Sequence, residues 1–202
     1  GYEMGSRFGS EIIDRVGASC SRMASSEILQ FKHINDLSTR PEDYYDIIDG
    51  KTAGPFATGG SSAAIIAGAD REIVDSVWGF GMEMGRAFQL VDDLLDIIGD
   101  EGIGKPRGTD VHEGKMTLPI IYALTMLRGT ERAELADVVT NFSDERLEEL
   151  TRLLEKAGSF EYTRLLISNH IDRALEHSEV LPETNAKLLL IEIAELSRSR
   201  TS

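Results

Sequence analysis

The sequence predicts one all-α domain over residues 1–202, and three observations predict it. Apolar residues recur near a 3.6-residue period almost throughout, no segment alternates as a half-buried strand would, and the periodic segments carry helix start and stop signals. With 202 residues and 41% hydrophobic content, the chain is long enough and apolar enough to bury a core.

Taken in order, "EIIDRVGASCSRMASSEILQF" places Ile12, Ile13, Val16, Met23, Ile28 and Leu29 close to helical spacing. After Pro41, "EDYYDIIDGKTAG" reads as a helix running into small residues, its acids forming an ordinary amphipathic face. "REIVDSVWGFGMEMGRAFQLVDDLLDII" continues for several turns despite Gly79, Gly81 and Gly85, with Trp78 and Met82 read as core. Glycine inside a helix costs up to about 1 kcal/mol relative to alanine, so close helix packing or ligand access is expected there.

Residues 99–117, "GDEGIGKPRGTDVHEGKMT", form the one long irregular segment. It holds five glycines, a proline, Lys105, Arg107 and Lys115, and loops of this length inside a compact domain are usually functional or disordered. His112 within it reads as solvated. Thr117 reads as an N-cap with Pro119 in the first helical turn. Further amphipathic helices follow, with Asp144 and Thr184 as N-caps and Gly158 as a C-terminal stop.

The bulk numbers exclude several functions. A formal charge of -14 argues against general nucleic-acid binding and against adsorption to anionic lipid, because both select basic surfaces. Cys20 is the only cysteine, so no intrachain disulfide forms and a reducing compartment is expected. No apolar run reaches the length of a membrane span, and no basic, apolar leader opens the chain, so a cytoplasmic protein without stable membrane insertion is the expectation.

"FQLVDDLLD", residues 88–96, concentrates the chemistry. On a helix, Asp92 and Asp96 are four apart and Asp93 and Asp96 three apart, so the carboxylates share a face, with Gln89 on the same stripe one turn earlier. Like charges so placed repel one another. Oxygen-only ligands of this kind suit Mg²⁺, which takes one or two protein carboxylates and completes its octahedron with water and phosphate. Flexible lysines just beyond would add point charges for a diphosphate. The competing reading is a solvated acidic face.

"GRAFQLVDDLLDIIGDEGIGKPRGTDVHEGKMTLP" resembles the second aspartate-rich region of the trans-isoprenyl diphosphate synthases, or polyprenyl synthetases, with its pattern GxxFQxxDDxLD followed by GKxxGxDxxxGKxTLP. "YYDIIDGKTAG" is similar to the family's KT segment, and "MASSEILQF" and "LPETNAKLLLIEIAELSRSR" to helices before and after. The resemblance implies an isoprenoid-synthase-type antiparallel helical bundle around a central cavity, and a homodimer. It implies Mg²⁺-dependent, head-to-tail condensation of isopentenyl diphosphate with an allylic diphosphate. Asp92, Asp93 and Asp96 would serve the metal cluster; Lys51, Lys105 and Lys115 would reach diphosphate. Lys51 and Thr52 would sit beside the breaking C–O bond, and Phe88 and Gln89 between the two substrates. Read without the resemblance, Lys51 is a surface lysine at a helix break, Thr52 a helix-turn cap and Phe88 a core residue.

One departure has consequences. Family enzymes carry two facing aspartate motifs, and DDxxD occurs once here. The chain therefore resembles roughly the C-terminal two-thirds of such an enzyme, with the N-terminal helices missing, and is expected to be inactive alone. A non-catalytic partner subunit of a heteromeric synthase is the rival reading. A class I terpene cyclase is opposed by the KT pair and the GKxxGxD loop.

Overall fold

The computed structural model describes residues 5–99 and 107–200. Among these the regular structure is helical, without a strand. The helices are α1 (Ser10–Lys32), α2 (Pro41–Ile48), α3 (Gly54–Ile66), α4 (Arg71–Ile98), α5 (Thr109–His112), α6 (Leu118–Met126), α7 (Gly129–Thr140), α8 (Leu147–Lys156), α9 (Ser159–Ser178) and α10 (Asn185–Ser199). A π-helical turn, Asp49–Ala53, joins α2 to α3.

The 28-residue α4 is the spine. Asp70 starts it by accepting the Ile73 N–H at 3.0 Å, which satisfies one of the unpaired donors of the first turn. Its buried Val91, Leu94 and Ile97 join Ile120 and Ile121 of α6, Leu150 and Leu154 of α8 and Ile171 of α9 in one core. A fully buried aliphatic side chain contributes about 1.5–3 kcal/mol, so this cluster fixes where the end of α4 points.

The glycines of α4 prove to be packing sites. A Cβ on Gly81 would lie 2.5 Å from the Ala57 Cα, and one on Gly85 would collide with the Ala53 Cα. Only hydrogen at these positions lets α4 lie directly against α3 and the π turn. That turn is closed by the Gly54 N–H donating to the Asp49 carbonyl, five residues back. Such a turn is locally wide and marks functional sites more often than ordinary helix does.

Several boundaries follow the sequence. Thr184 accepts the Lys187 N–H, and Gly158 takes the left-handed conformation (φ 73°) between α8 and α9. Others differ. Asp144 is not an N-cap; it opens a 3-10 turn ahead of α8, and its carboxylate is taken by His112 at 2.7 Å. His112 itself also meets Phe142 edge-on, so it is partnered as well as solvated. Thr117 occupies the cap position of α6 with Pro119 in the first turn, yet its buried hydroxyl caps nothing. Trp78 is not core but 38% exposed, because it and Met82 line a cavity of about 320 Å³ between α1, the π turn and α4.

Candidate active site at the end of α4

The last turns of α4, the π turn, α1 and the 107–117 segment enclose a pocket of about 160 Å³. Lys51, Gln89, Asp92, Asp93 and Lys115 all line it, so the structure brings together residues distant in sequence. Thr52 joins them through its hydroxyl, which donates to Gln89 Oε1 at 2.8 Å. Lys105 lies outside the described residues.

The three aspartates are not equivalent. Asp92 is exposed. Asp93 is 3% exposed, with Oδ1 accepting from Gln89 Nε2 at 2.9 Å and Oδ2 from the Tyr44 hydroxyl at 2.6 Å. Burial pushes its pKa up to about 7; the two hydrogen bonds pull the other way, and the charges of Asp110 and Asp92 add to the rise. Asp96 accepts the backbone N–H groups of Thr109 and Asp110, each at 3.1 Å, and so caps the short helix α5. Burial, and next Asp110, raise its pKa.

Arg107 and Gly108 lie against the last turn of α4. Arg107 Nε donates to the Ile97 carbonyl at 2.8 Å, and the Gly108 N–H to the Asp96 carbonyl at 2.7 Å. A cation on the last carbonyls is a favourable helix end. Asp110 and Lys115 line the same pocket as Asp92 and Asp93. Lys115 bridges Asp110 at 2.7 Å and Glu113 at 2.6 Å. Burial works against its charge, but those carboxylates outweigh it and raise the pKa above that of an ordinary lysine.

Lys51 is held from α1, donating to Gln30 Oε1 at 2.9 Å and pairing with Glu27 at 3.0 Å. Lys51 and Lys115 also line a second recess of about 390 Å³, whose other walls include Phe31 and Ile34. Phe88 is 41% exposed and packs its ring 5.6 Å from that of Phe56.

Four residues of this site carried no role in the sequence reading: Glu27, Gln30, Tyr44 and Asp110. Asp110 was within reach, being the aspartate of the GKxxGxD pattern. Tyr44 looked like one more aromatic on an amphipathic face, and only the packing of α2 on α4 reveals its partner.

Among the described residues no three His, Cys, Asp or Glu side chains form a closed metal cluster. Asp92 and Asp110 line one pocket, with Lys115 on Asp110. Oxygen donors so few and so arranged fit a cation that draws its remaining ligands from water and phosphate, as Mg²⁺ does.

The chain is similar to known proteins over most of its length. Octaprenyl diphosphate synthase of Escherichia coli is 33% identical over 204 residues, covering 98% of this chain and 62% of that one. The crystal structure of a decaprenyl diphosphate synthase from Rhodobacter capsulatus superposes with a TM-score of 0.88 at 32% identity, covering 95% of this chain and 60% of that one. A polyprenyl synthase from Caulobacter crescentus, solved with calcium and isoprenyl diphosphate, gives 0.89 at 27% identity, over 96% of this chain and 60% of that one. The chain thus spans about three-fifths of the length of these proteins. Residues 2–156 match the model of the polyprenyl synthetase family, and the chain belongs to that family.

Proposed function

We propose that the protein to which this chain belongs is a Mg²⁺-dependent prenyltransferase. It would join isopentenyl diphosphate head-to-tail to an allylic diphosphate, giving a longer trans-polyprenyl diphosphate. The observation that carries the reading is that Lys51 and Lys115 border both the acidic pocket and the recess walled by Phe31 and Ile34. A ligand with an anionic head and an apolar tail suits that arrangement, since the head meets cations and the tail leaves water.

Of the aspartate trio, Asp92 is the direct metal ligand in this reading, with Asp110 beside it. Asp93, held by Gln89 and Tyr44, and Asp96, held by the backbone of Thr109 and Asp110, complete that acidic face. When bound, Mg²⁺ supplies charge neutralisation for the leaving diphosphate. Lys51 and Lys115, with Lys105, bind diphosphate oxygens as point charges. The allylic C–O bond breaks with its electron pair leaving on diphosphate. The Lys51 carbonyl and the Thr52 hydroxyl oxygen stabilise the allylic cation, with Gln89 lining the pocket between the substrates. The isopentenyl double bond attacks it, a C–C bond forms, and a proton passes to the released diphosphate. Phe88 lies between the two substrates.

Residues 1–202 are proposed as the C-terminal portion of a single all-α domain, inactive alone, since DDxxD occurs once in this sequence. That same count favours a second reading, a partner subunit that completes its site with another chain. Among the described residues no helix is long and apolar enough to cross a membrane. A homodimer accords with the family, and the lone, exposed Cys20 accords with a reducing, cytoplasmic setting.

Incubating the full-length protein with farnesyl diphosphate, radiolabelled isopentenyl diphosphate and Mg²⁺ tests the reading. Apolar, solvent-extractable label is expected from the full-length protein and none from residues 1–202 alone. No product from the full-length protein would sink the prenyltransferase, and product only after adding a second subunit would install the partner reading.

A further inference from the structure

Tyr44 sits on α2 seven residues before Lys51, with 4% of its surface exposed. Its phenol is buried, and its hydroxyl donates to the carboxyl group it meets. That group belongs to Asp93, whose Oδ2 receives the hydroxyl at 2.6 Å. The other oxygen, Oδ1, receives the Gln89 amide N–H at 2.9 Å. The contacts of Gln89 Nε2 with Asp93 and of Gln89 Oε1 with the Thr52 hydroxyl set the amide's orientation: its NH₂ faces Asp93 and its carbonyl faces Thr52. The Thr52 hydroxyl then gives its one hydrogen to that carbonyl, at 2.8 Å. Each link in the series depends on the one before it.

The consequence falls on the last member. A hydroxyl whose hydrogen is already committed shows only lone pairs to whatever lies next to it. Such an oxygen stabilises positive charge, whereas a freely rotating hydroxyl spends part of its time presenting hydrogen. Gln89 and Asp93 both belong to α4 and cannot by themselves fix their position relative to α2 and the π turn. Tyr44 supplies that cross-link from the helix running directly into the π turn.

We propose that Tyr44 is a positioning residue: through Asp93 and Gln89 it orders the Thr52 hydroxyl as a fixed acceptor facing the allylic carbon. The inference rests on the prenyl-transfer reading of the site and names a residue which that reading does not need for binding. Tyr44 lines the same pocket as Lys51 and Lys115, but its hydroxyl is spent on Asp93, so its loss should leave substrate affinity nearly intact. Misplacement of an otherwise intact group by about 1 Å can cost roughly 100-fold in rate.

The test is Tyr44→Phe in the full-length protein, which keeps the ring and removes only the hydroxyl. The expected result is a fall in kcat of roughly 10- to 100-fold, with KM for both diphosphates and the Mg²⁺ requirement within about threefold. In a Thr52→Val background, which has no hydroxyl to orient, adding Tyr44→Phe should change kcat by less than about twofold. A merely structural tyrosine would lower both backgrounds by the same factor, which overturns the proposal. Unchanged kcat in Tyr44→Phe overturns it as well. Should Tyr44→Phe fail to fold, Gln89→Glu decides: it removes the donor to Asp93, and full turnover there defeats the relay. An inactive wild type is a different result, because it removes the prenyl-transfer reading itself.

Discussion

Arg86 and Asp49 meet as a two-pronged ion pair, Nε to Oδ1 and the terminal nitrogen to Oδ2, both at 2.7 Å. The pair fastens the first residue of the π turn to the middle of α4. Arg86 also donates to Glu83 Oε1 at 2.8 Å, so the guanidinium is satisfied on two sides. Planar fork geometry is what arginine offers and lysine does not. The Asp49–Arg86 bond therefore sets where Lys51 and Thr52, two and three residues later, enter the pocket.

Breaking that pair should lower both stability and turnover. Side chains 25% and 18% exposed are partly shielded from water, so Arg86→Met should cost about 1–3 kcal/mol, below the range for fully buried pairs. Arg86→Lys should recover most of the stability but less of the kcat, because a point charge cannot hold both carboxylate oxygens. Urea denaturation and steady-state kinetics on the three proteins check this. Equal recovery of both quantities would mean that charge alone matters at this position.

The glycines of α4 and α3 offer a paired experiment. Alanine is favoured over glycine in a helix by about 1 kcal/mol, and Gly59 of α3 has nothing within 4 Å of a new Cβ. Gly59→Ala should therefore stabilise by up to about 1 kcal/mol. Gly85→Ala has the same helix gain but drives a methyl onto the Ala53 backbone, and overpacking costs about 1–3 kcal/mol. It should lower the melting temperature and also displace the π turn, so kcat falls with it. A stabilised, fully active Gly85→Ala would show that the two helices can part freely.

How much of this was legible in the sequence depends on the range of the interaction. The length of α4, its apolar stripe and the shared face of its aspartates are local consequences of a 3.6-residue period, and they could be read directly. So could the reason for interrupting α4 with glycine, though not which neighbour needed the room. Trp78 was misread as core because an apolar side chain on a helix says nothing about whether the helix opposite closes over it. Asp144 was misread as a cap because the competing partner, His112, lies thirty-two residues away. The π turn left no composition signal in "DGKTA". Tyr44 and Asp93, forty-nine residues apart, became a pair only once α2 had a place to dock.

The aspartates should separate in mutagenesis as they do in burial. Asp92 is exposed, so Asp92→Ala should cut turnover by orders of magnitude and raise the Mg²⁺ needed, with little change in melting temperature. Asp93→Ala leaves the Tyr44 hydroxyl and a Gln89 N–H without their acceptor, at about 1–3 kcal/mol for the buried phenol and less for the half-buried amide. Activity and stability should fall together there. A large drop in the melting temperature of Asp92→Ala with activity retained would remove Asp92 from the site.

Falling pH should weaken the contact that Glu83 makes with α9. Its carboxylate lies under α9, where Oε2 meets His170 Nδ1 at 2.6 Å and Arg173 Nε at 2.8 Å. Burial alone would raise its pKa, but the hydrogen bonds and charges of His170 and Arg173 prevail and lower it from 4.5 to about 2. The folded protein thus holds this proton less tightly than the unfolded chain. The stabilisation is complete above about pH 4.5 and is lost as the pH falls through about 2. At most it amounts to about 3 kcal/mol. Glu83→Gln keeps the shape but carries no charge to lose. It should be less stable than the parent protein at pH 5.5, and the difference should shrink steadily toward pH 3. Urea midpoints measured for both proteins across that interval decide it: a difference that stays constant would mean the carboxylate's charge contributes nothing to the α4–α9 contact.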